Sequence, residues 1–134
     1  MTRALVQAIA IAAAAGLAAA ACSGSLRTVP LGLRGTAAAA PAVVESPPPA
    51  PKVELVPPDP GSPCAWLDGR WEWTDQSWTW TPGAWVLVPA GCHYATPQAL
   101  WVPATGRGLL FYLPGRWYRD SDGSACGEPQ QCPR

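Results

Sequence analysis

Through the stretch GRWEWTDQSWTWTPGAW, residues 69–85, apolar and polar positions take turns, and tryptophan carries the apolar ones. In RWEW and WTWT every second residue is an indole, which is the period of a β-strand. Between them lies TDQS, Thr74–Ser77, a run of turn-forming residues. Folding the chain there predicts a hairpin with Trp73 opposite Trp78 and Trp71 opposite Trp80. All four indoles then share one face, and Glu72 and Thr79 point to the other. Such cross-strand aromatic pairs contribute roughly 0.2–1 kcal/mol each.

The pattern continues past the hairpin. If Pro82-Gly83 reverses the chain tightly, Trp80 meets Trp85 and Leu87 joins Trp78. A Pro-Gly pair favours a type II turn, however, whose twist suits hairpins poorly, so a wider loop or bulge is the alternative. The same reasoning at Pro114-Gly115 brings Tyr112 towards Trp117. LWVPATGRGLLFYL, residues 100–113, predicts two more strands around a Thr105–Gly106 turn. Trp101, Leu110 and Tyr112 fall on one face; Leu109, Phe111 and Leu113 fall on the other. Apolar residues on both faces imply cover on both sides, from the chain itself or from a partner.

The tryptophans also obey a spelling rule. WLDGRW (Trp66–Trp71) and WTPGAW (Trp80–Trp85) share the form W-x-x-G-x-W, and YLPGRW (Tyr112–Trp117) is a third copy at an unequal spacing. VPAGCH (Val88–His93) reads as a decayed fourth. These copies resemble the WXXGXW (YXWGXW) repeat family of bacterial envelope proteins, many of them lipoproteins. The resemblance covers residues 66–117 and implies an all-β envelope protein. It brings no catalytic residue with it. The expected fold is therefore all-β, a small antiparallel meander of hairpin repeats, with glycines giving the backbone freedom at its turns.

The rest of the chain reads differently. After Arg3, residues 4–21 carry no charge and are rich in alanine, an export signal by pattern. A run of that length is also enough for an uncleaved span, although alanine is only weakly apolar. LAAAAC, Leu17–Cys22, resembles a lipobox, with Ala19 where leucine or valine is usual. It marks Cys22 for lipidation and residues 1–21 as a lipoprotein signal peptide; ordinary cleavage at an Ala-x-Ala site, leaving Cys22 as a bystander, is the alternative. Ser23 after it favours the outer membrane by that resemblance. Residues 22–63 then read as the lipidated cysteine and an Ala/Pro-rich tether. From Pro41 to Pro63, proline fills nine positions, which rules out a helix or a central strand. A disordered, extended spacer is the expectation, with a proline-rich ligand for another protein as the alternative. Residues 64–134 hold every aromatic residue and four of the five cysteines, and read as the folded domain.

At about 70 residues a core is marginal without staples. If Cys22 carries lipid, the four remaining cysteines suit disulfides in an oxidising compartment. Three pairings exist. A meander favours Cys64–Cys92, with Cys126–Cys132 closing locally. Net charge is zero with one lysine, Lys52, so phosphate neutralisation and nucleic-acid binding are not expected. The only histidine, His93, has no second imidazole for zinc and no paired nucleophile, and reads as structural. Asp120, Asp122 and Glu128 miss EF-hand spacing, because Gly123 arrives too early. Neither metal nor cofactor is expected, nor catalysis. Two functions remain: a structural or adaptor lipoprotein, held to the membrane through Cys22 and meeting another envelope protein, or a module binding a glycan, peptidoglycan or exopolysaccharide. The candidate stacking residues for the second are Trp66, Trp71, Trp73, Trp78, Trp80 and Trp85. Their exposure decides between the two readings.

Overall fold

The hairpin that the alternation predicts is present, with the register read from the sequence. In a computed structural model describing residues 24–37, 39–106 and 108–133, β3 (Arg70–Thr74) pairs antiparallel with β4 (Ser77–Thr81). Trp71 stands opposite Trp80 and Trp73 opposite Trp78. Asp75 and Gln76 both take positive φ, 49° and 60°, as a two-residue type I′ turn requires. The facing indoles meet edge to face at centroid distances of 5.2 and 5.0 Å, the geometry their quadrupoles prefer. The second predicted hairpin is also present. It joins β7 (Gln98–Val102) to β8 (Leu109–Leu113), with Trp101 opposite Leu110. Strands are the only regular elements among the described residues, and the fold is all-β.

Neither Pro-Gly step closes a hairpin. β5 (Ala84–Leu87) pairs instead with β2 (Cys64–Leu67), so Trp85 faces Trp66 and not Trp80. Likewise β9 (Arg116–Arg119) pairs with β6 (Cys92–Ala95), so Trp117 faces Tyr94 and not Tyr112. The twist mismatch of a Pro-Gly reversal is avoided by passing each strand to a different partner.

The result is an internal duplication. Each unit holds four strands: a hairpin from the middle two, and a ladder from the first and last. One constant shift along the chain carries Cys64 to Cys92, Trp66 to Tyr94 and Trp73 to Trp101. A slightly longer one carries Trp78 to Leu110, Trp80 to Tyr112 and Trp85 to Trp117. Every pairing of the first unit recurs in the second under those two shifts. The difference between them lies in the hairpin connections, Asp75 and Gln76 in the first unit against the longer link from Val102 to Leu109 in the second. The true partner of WLDGRW in the second unit is therefore YATPQA, Tyr94–Ala99, and not the decayed copy expected at Val88–His93.

The units stack. Along β2, Ala65 and Leu67 point to one face and Cys64 and Trp66 to the other. Ala65, Leu67 and Val86 share a buried cluster with Cys92, Tyr94 and Trp117 of the second unit. Cys64, Trp66 and Trp85 form a second cluster with Cys132.

The described segments flanking the two units are built into this stack, and the same duplication governs them. The N-terminal arm runs beside the first strand of each ladder: Trp66 N–H donates to Arg27 O and Val29 N–H to Trp66 O, then Tyr94 N–H donates to Pro30 O and Gly32 N–H to Tyr94 O. The C-terminal arm runs beside the last strands: Cys126 N–H donates to Trp117 O, and Cys132 N–H to Trp85 O. Its β10 (Gln130–Gln131) pairs with β5. This placement overturns the expected disulfides Cys64–Cys92 and Cys126–Cys132. The bridges are Cys64–Cys132 and Cys92–Cys126. Cys64 and Cys92 occupy the same position in two stacked units, so they cannot face one another. Each reaches instead the cysteine of the arm passing its own ladder.

The tether expectation is corrected in the same way. Val29 and Val44 are buried, and β1 (Ala42–Val44), between Pro41 and Pro47, pairs with β8 as an edge strand. Proline forbids a central strand but permits an edge. The folded body thus begins well before Cys64. Residues 1–21 and Cys22, read as signal and lipid anchor, lie outside the described residues.

Candidate functional site

The tryptophan face of the first unit is covered by its own chain. Residues 46–57, the proline-rich strap, cross it in extended form. Trp78 Nε1 donates to Ser46 O at 3.2 Å, Trp71 Nε1 to Ala50 O at 3.0 Å, and Trp85 Nε1 to Pro57 O at 3.1 Å. The chemistry is complementary: an indole nitrogen only donates, and a proline backbone only accepts. Lys52 Nζ lies 5.1 Å from the Trp71 ring centroid and 5.8 Å from that of Trp80, within cation–π range. A cavity of about 410 Å³ lies between Pro48–Pro51 and the side chains of Trp71, Trp80 and Tyr112.

At the centre of the strap Glu54 enters the fold. Its carboxylate accepts from Gly69 N–H at 3.2 Å, from Gly83 N–H at 3.0 Å and from Trp80 Nε1 at 3.1 Å. Two of these donors are the motif glycines. None of Gly69, Gly83 and Gly115 takes positive φ, so backbone freedom is not why they are glycine. A side chain on Gly69 would collide with Trp80 and Glu54, one on Gly83 with Trp66 and Glu54, and one on Gly115 with Tyr94. The motif is thus a reciprocal seat. In the first unit the first aromatic of each copy lies on the glycine of the other, and the bare N–H groups there receive a carboxylate; in the second unit Tyr94 lies on Gly115, while Pro97 stands where the other glycine would be. Gly83→Ala should cost about 1–3 kcal/mol by overpacking against the buried Trp66. Gly127, with nothing within 4 Å of a side chain there, should accept alanine with little change. Urea unfolding of both variants checks the contrast.

The candidate stacking residues are distributed unevenly. Trp66 and Trp85 are 3% and 8% exposed, packed edge to face at 5.6 Å. Trp71, Trp73, Trp78 and Trp80 are half-buried. Trp66 Nε1 donates to Asp68 at 2.8 Å, and Trp78 also meets the Tyr112 ring edge to face at 5.0 Å. The rings therefore present edges to each other and N–H groups to the strap, not a bare flat row. Trp101, absent from the candidates, is 62% exposed.

His93 Nδ1 lies 2.6 Å from Asp120 Oδ1, and Nε2 lies 2.7 Å from Leu33 O. Both ring nitrogens face acceptors, so the imidazolium satisfies the site better than the neutral ring. The hydrogen bond to Asp120, then that to the Leu33 carbonyl, raises its pKa above the ordinary 6.5. A raised folded value means that stability is fully present below about pH 6.5 and is lost as pH rises through the folded pKa. The unfolding midpoint should therefore decrease as the pH is raised from about 6.5 through the folded pKa of His93, and His93→Gln should flatten that slope. A wild-type midpoint that rises over this window would refute the assignment. Asp122 is held below its ordinary value by hydrogen bonds from Ser124, and among the described residues no group of three or more His, Cys, Asp and Glu side chains gathers.

Burial pushes Tyr94 and Tyr112 up to about 12. Tyr112 Oη donates to Trp71 O at 2.9 Å, joining the two units. Glu54 is not among the residues that the sequence singles out. The signal for it is a lone acid inside KVELVPP, facing glycines that no turn requires.

No protein-family model, no curated protein and no solved structure matches the chain.

Proposed function

We propose that this is a non-catalytic structural or adaptor protein of the bacterial cell envelope, held by lipid on Cys22 and akin to WXXGXW repeat proteins. The observation that carries the reading is the use made of the tryptophans. Four indole N–H groups, those of Trp71, Trp78, Trp80 and Trp85, are committed to the strap. Two disulfides lock the C-terminal arm to the ladders. Such an arrangement invests the aromatic residues in a small, durable body. It suits an exported protein that must persist without the support of a large core.

The lipid, the outer membrane and an envelope partner rest on the N-terminal pattern LAAAAC and the residue after it. Metabolic labelling with radioactive palmitate tests the anchor. The full chain should incorporate label and partition with membranes, and Cys22→Ala should lose both. Label retained by Cys22→Ala would refute the anchor. The glycan reading draws less support, because a sugar ring needs an open indole face and the rings here meet edge to face under a strap. Peptidoglycan fragments that shield the full chain's tryptophans from iodide would reverse that preference.

A further inference from the structure

We infer that the tryptophan face of the first unit is a recognition groove for an extended proline-rich segment bearing one carboxylate, and that residues 46–57 are its displaceable intramolecular occupant. The inference names what the adaptor would hold, and in that sense rests on the reading above. The occupant in trans is a proline-rich segment of another protein with an Asp or Glu among its prolines.

The first support is how the strap is held. The N-terminal arm, residues 27–32, is fixed by a backbone ladder and by buried Val29. The strap differs. Among the described residues, no backbone–backbone hydrogen bond outside the strands involves residues 45–60. Most of those residues are exposed, with only Pro48 and Glu54 half-covered. It is attached as a ligand is attached, by side chains of a receiving face and one inserted charge.

The second support is the pattern of attachment. Acceptors recur at Ser46, Ala50, Glu54 and Pro57, and each meets an indole donor of the first unit. Polyproline chains offer carbonyls without competing donors and have little entropy left to lose, and aromatic-lined grooves with indole donors exploit both. The third support is the carboxylate seat. Gly69 N–H, Gly83 N–H and Trp80 Nε1 converge on one point, and that point would be left with three donors unpaired if Glu54 withdrew. An incoming segment must therefore bring an acid of its own.

Because the strap is joined to β1 on one side and β2 on the other, it competes at an effective concentration on the order of millimolar. A free peptide should bind the wild-type chain weakly and an opened chain well. The test uses the full chain in two opened forms: Glu54→Ala, and a chain whose residues 46–57 are exchanged for glycine and serine at equal length. The probe is a fluorescein-labelled peptide of sequence ESPPPAPKVELVPPD, residues 45–59, read by anisotropy. Both opened forms should bind it at least about tenfold more tightly than wild type. A peptide with glutamine in place of its central glutamate should lose about tenfold. If the exchanged chain loses its β-sheet circular dichroism, Glu54→Ala is the form that decides.

Absence of binding by every folded form at about 1 mM peptide would overturn the inference. So would equal binding of a peptide with its prolines replaced by alanine. A dimer with exchanged straps as the only bound form would overturn the assignment to a foreign segment. Shielding of the opened face by peptidoglycan fragments and not by peptide would overturn it in favour of glycan. Palmitate incorporation reports separately, so a failed groove and a failed anchor are distinguishable.

Discussion

Replacing Cys64 and Cys132 together by serine will cost about 4 kcal/mol of stability. The bridge spans 68 residues of chain, and closing a loop of that length removes about that much entropy from the unfolded ensemble. The bridge Cys92–Cys126, spanning 34 residues, should be worth nearly as much by the same logic. A small domain holds roughly 5–15 kcal/mol in total, so loss of one bridge should lower the melting temperature steeply, and loss of both should leave little folded protein. The arms explain why the effect is concentrated here. Beyond Cys126, the C-terminal arm is secured by a two-residue strand, the Cys132 N–H bond to Trp85 and the bridge. Thermal melts with and without reductant measure the loss. Peptide mapping without reduction checks the pairing: fragments joining Cys64 to Cys132 and Cys92 to Cys126 are expected. A fragment joining Cys64 to Cys92, or a melting temperature indifferent to reductant, would contradict the stacked arrangement.

The parts of this fold that can be read from the sequence are those decided between near neighbours. Alternation and a short polar turn are enough to place Trp73 against Trp78 and Trp101 against Leu110, because a hairpin's register follows from its turn. The ladders are not legible in that way. Nothing within WTPGAW says that Trp85 will meet Trp66 across the whole intervening hairpin, only that Pro82-Gly83 makes a poor hairpin turn. The matching spelling of WLDGRW and WTPGAW suggests short serial repeats. They are alike because they face each other, the first aromatic of each lying on the other's glycine. The true repeat is twice as long and is blurred in the second unit, where Tyr94, Pro97 and Ala99 stand for Trp66, Gly69 and Trp71.

The proline-rich stretch misleads for a related reason. Proline's fixed φ and missing donor exclude it from helix and central strand, and both facts concern the backbone alone. They leave its carbonyls free to accept and its rings free to pack. A chain with eight tryptophans, each a donor seeking an acceptor, supplies the complementary partner. The low charge content and the position of Glu54 are visible in the sequence, but their meaning depends on two glycines brought together by the ladders.

Trp117→Ala should destabilise the protein by about 3–5 kcal/mol, the range for deleting a fully buried large aromatic side chain. Trp117 is 1% exposed and lies 5.3 Å from the Tyr94 ring. It belongs to the cluster that joins Val29 of the N-terminal arm, Ala65, Leu67 and Val86 of the first unit, and Cys92 and Tyr94 of the second. The cavity would thus open where three parts of the chain meet, and none can collapse into it without moving the others. Its indole nitrogen has no partner among the described residues, so Trp117→Phe should be much milder, losing volume but no hydrogen bond. Trp101→Ala, at a 62% exposed position of the second hairpin, should change stability by no more than about 0.5 kcal/mol. The comparison also tests whether the duplicated units are separate bodies. If each folded alone, Trp117→Ala would melt the second unit and leave the first intact, giving two urea transitions. A shared core gives one transition, shifted as a whole, with tryptophan fluorescence and β-sheet circular dichroism changing together.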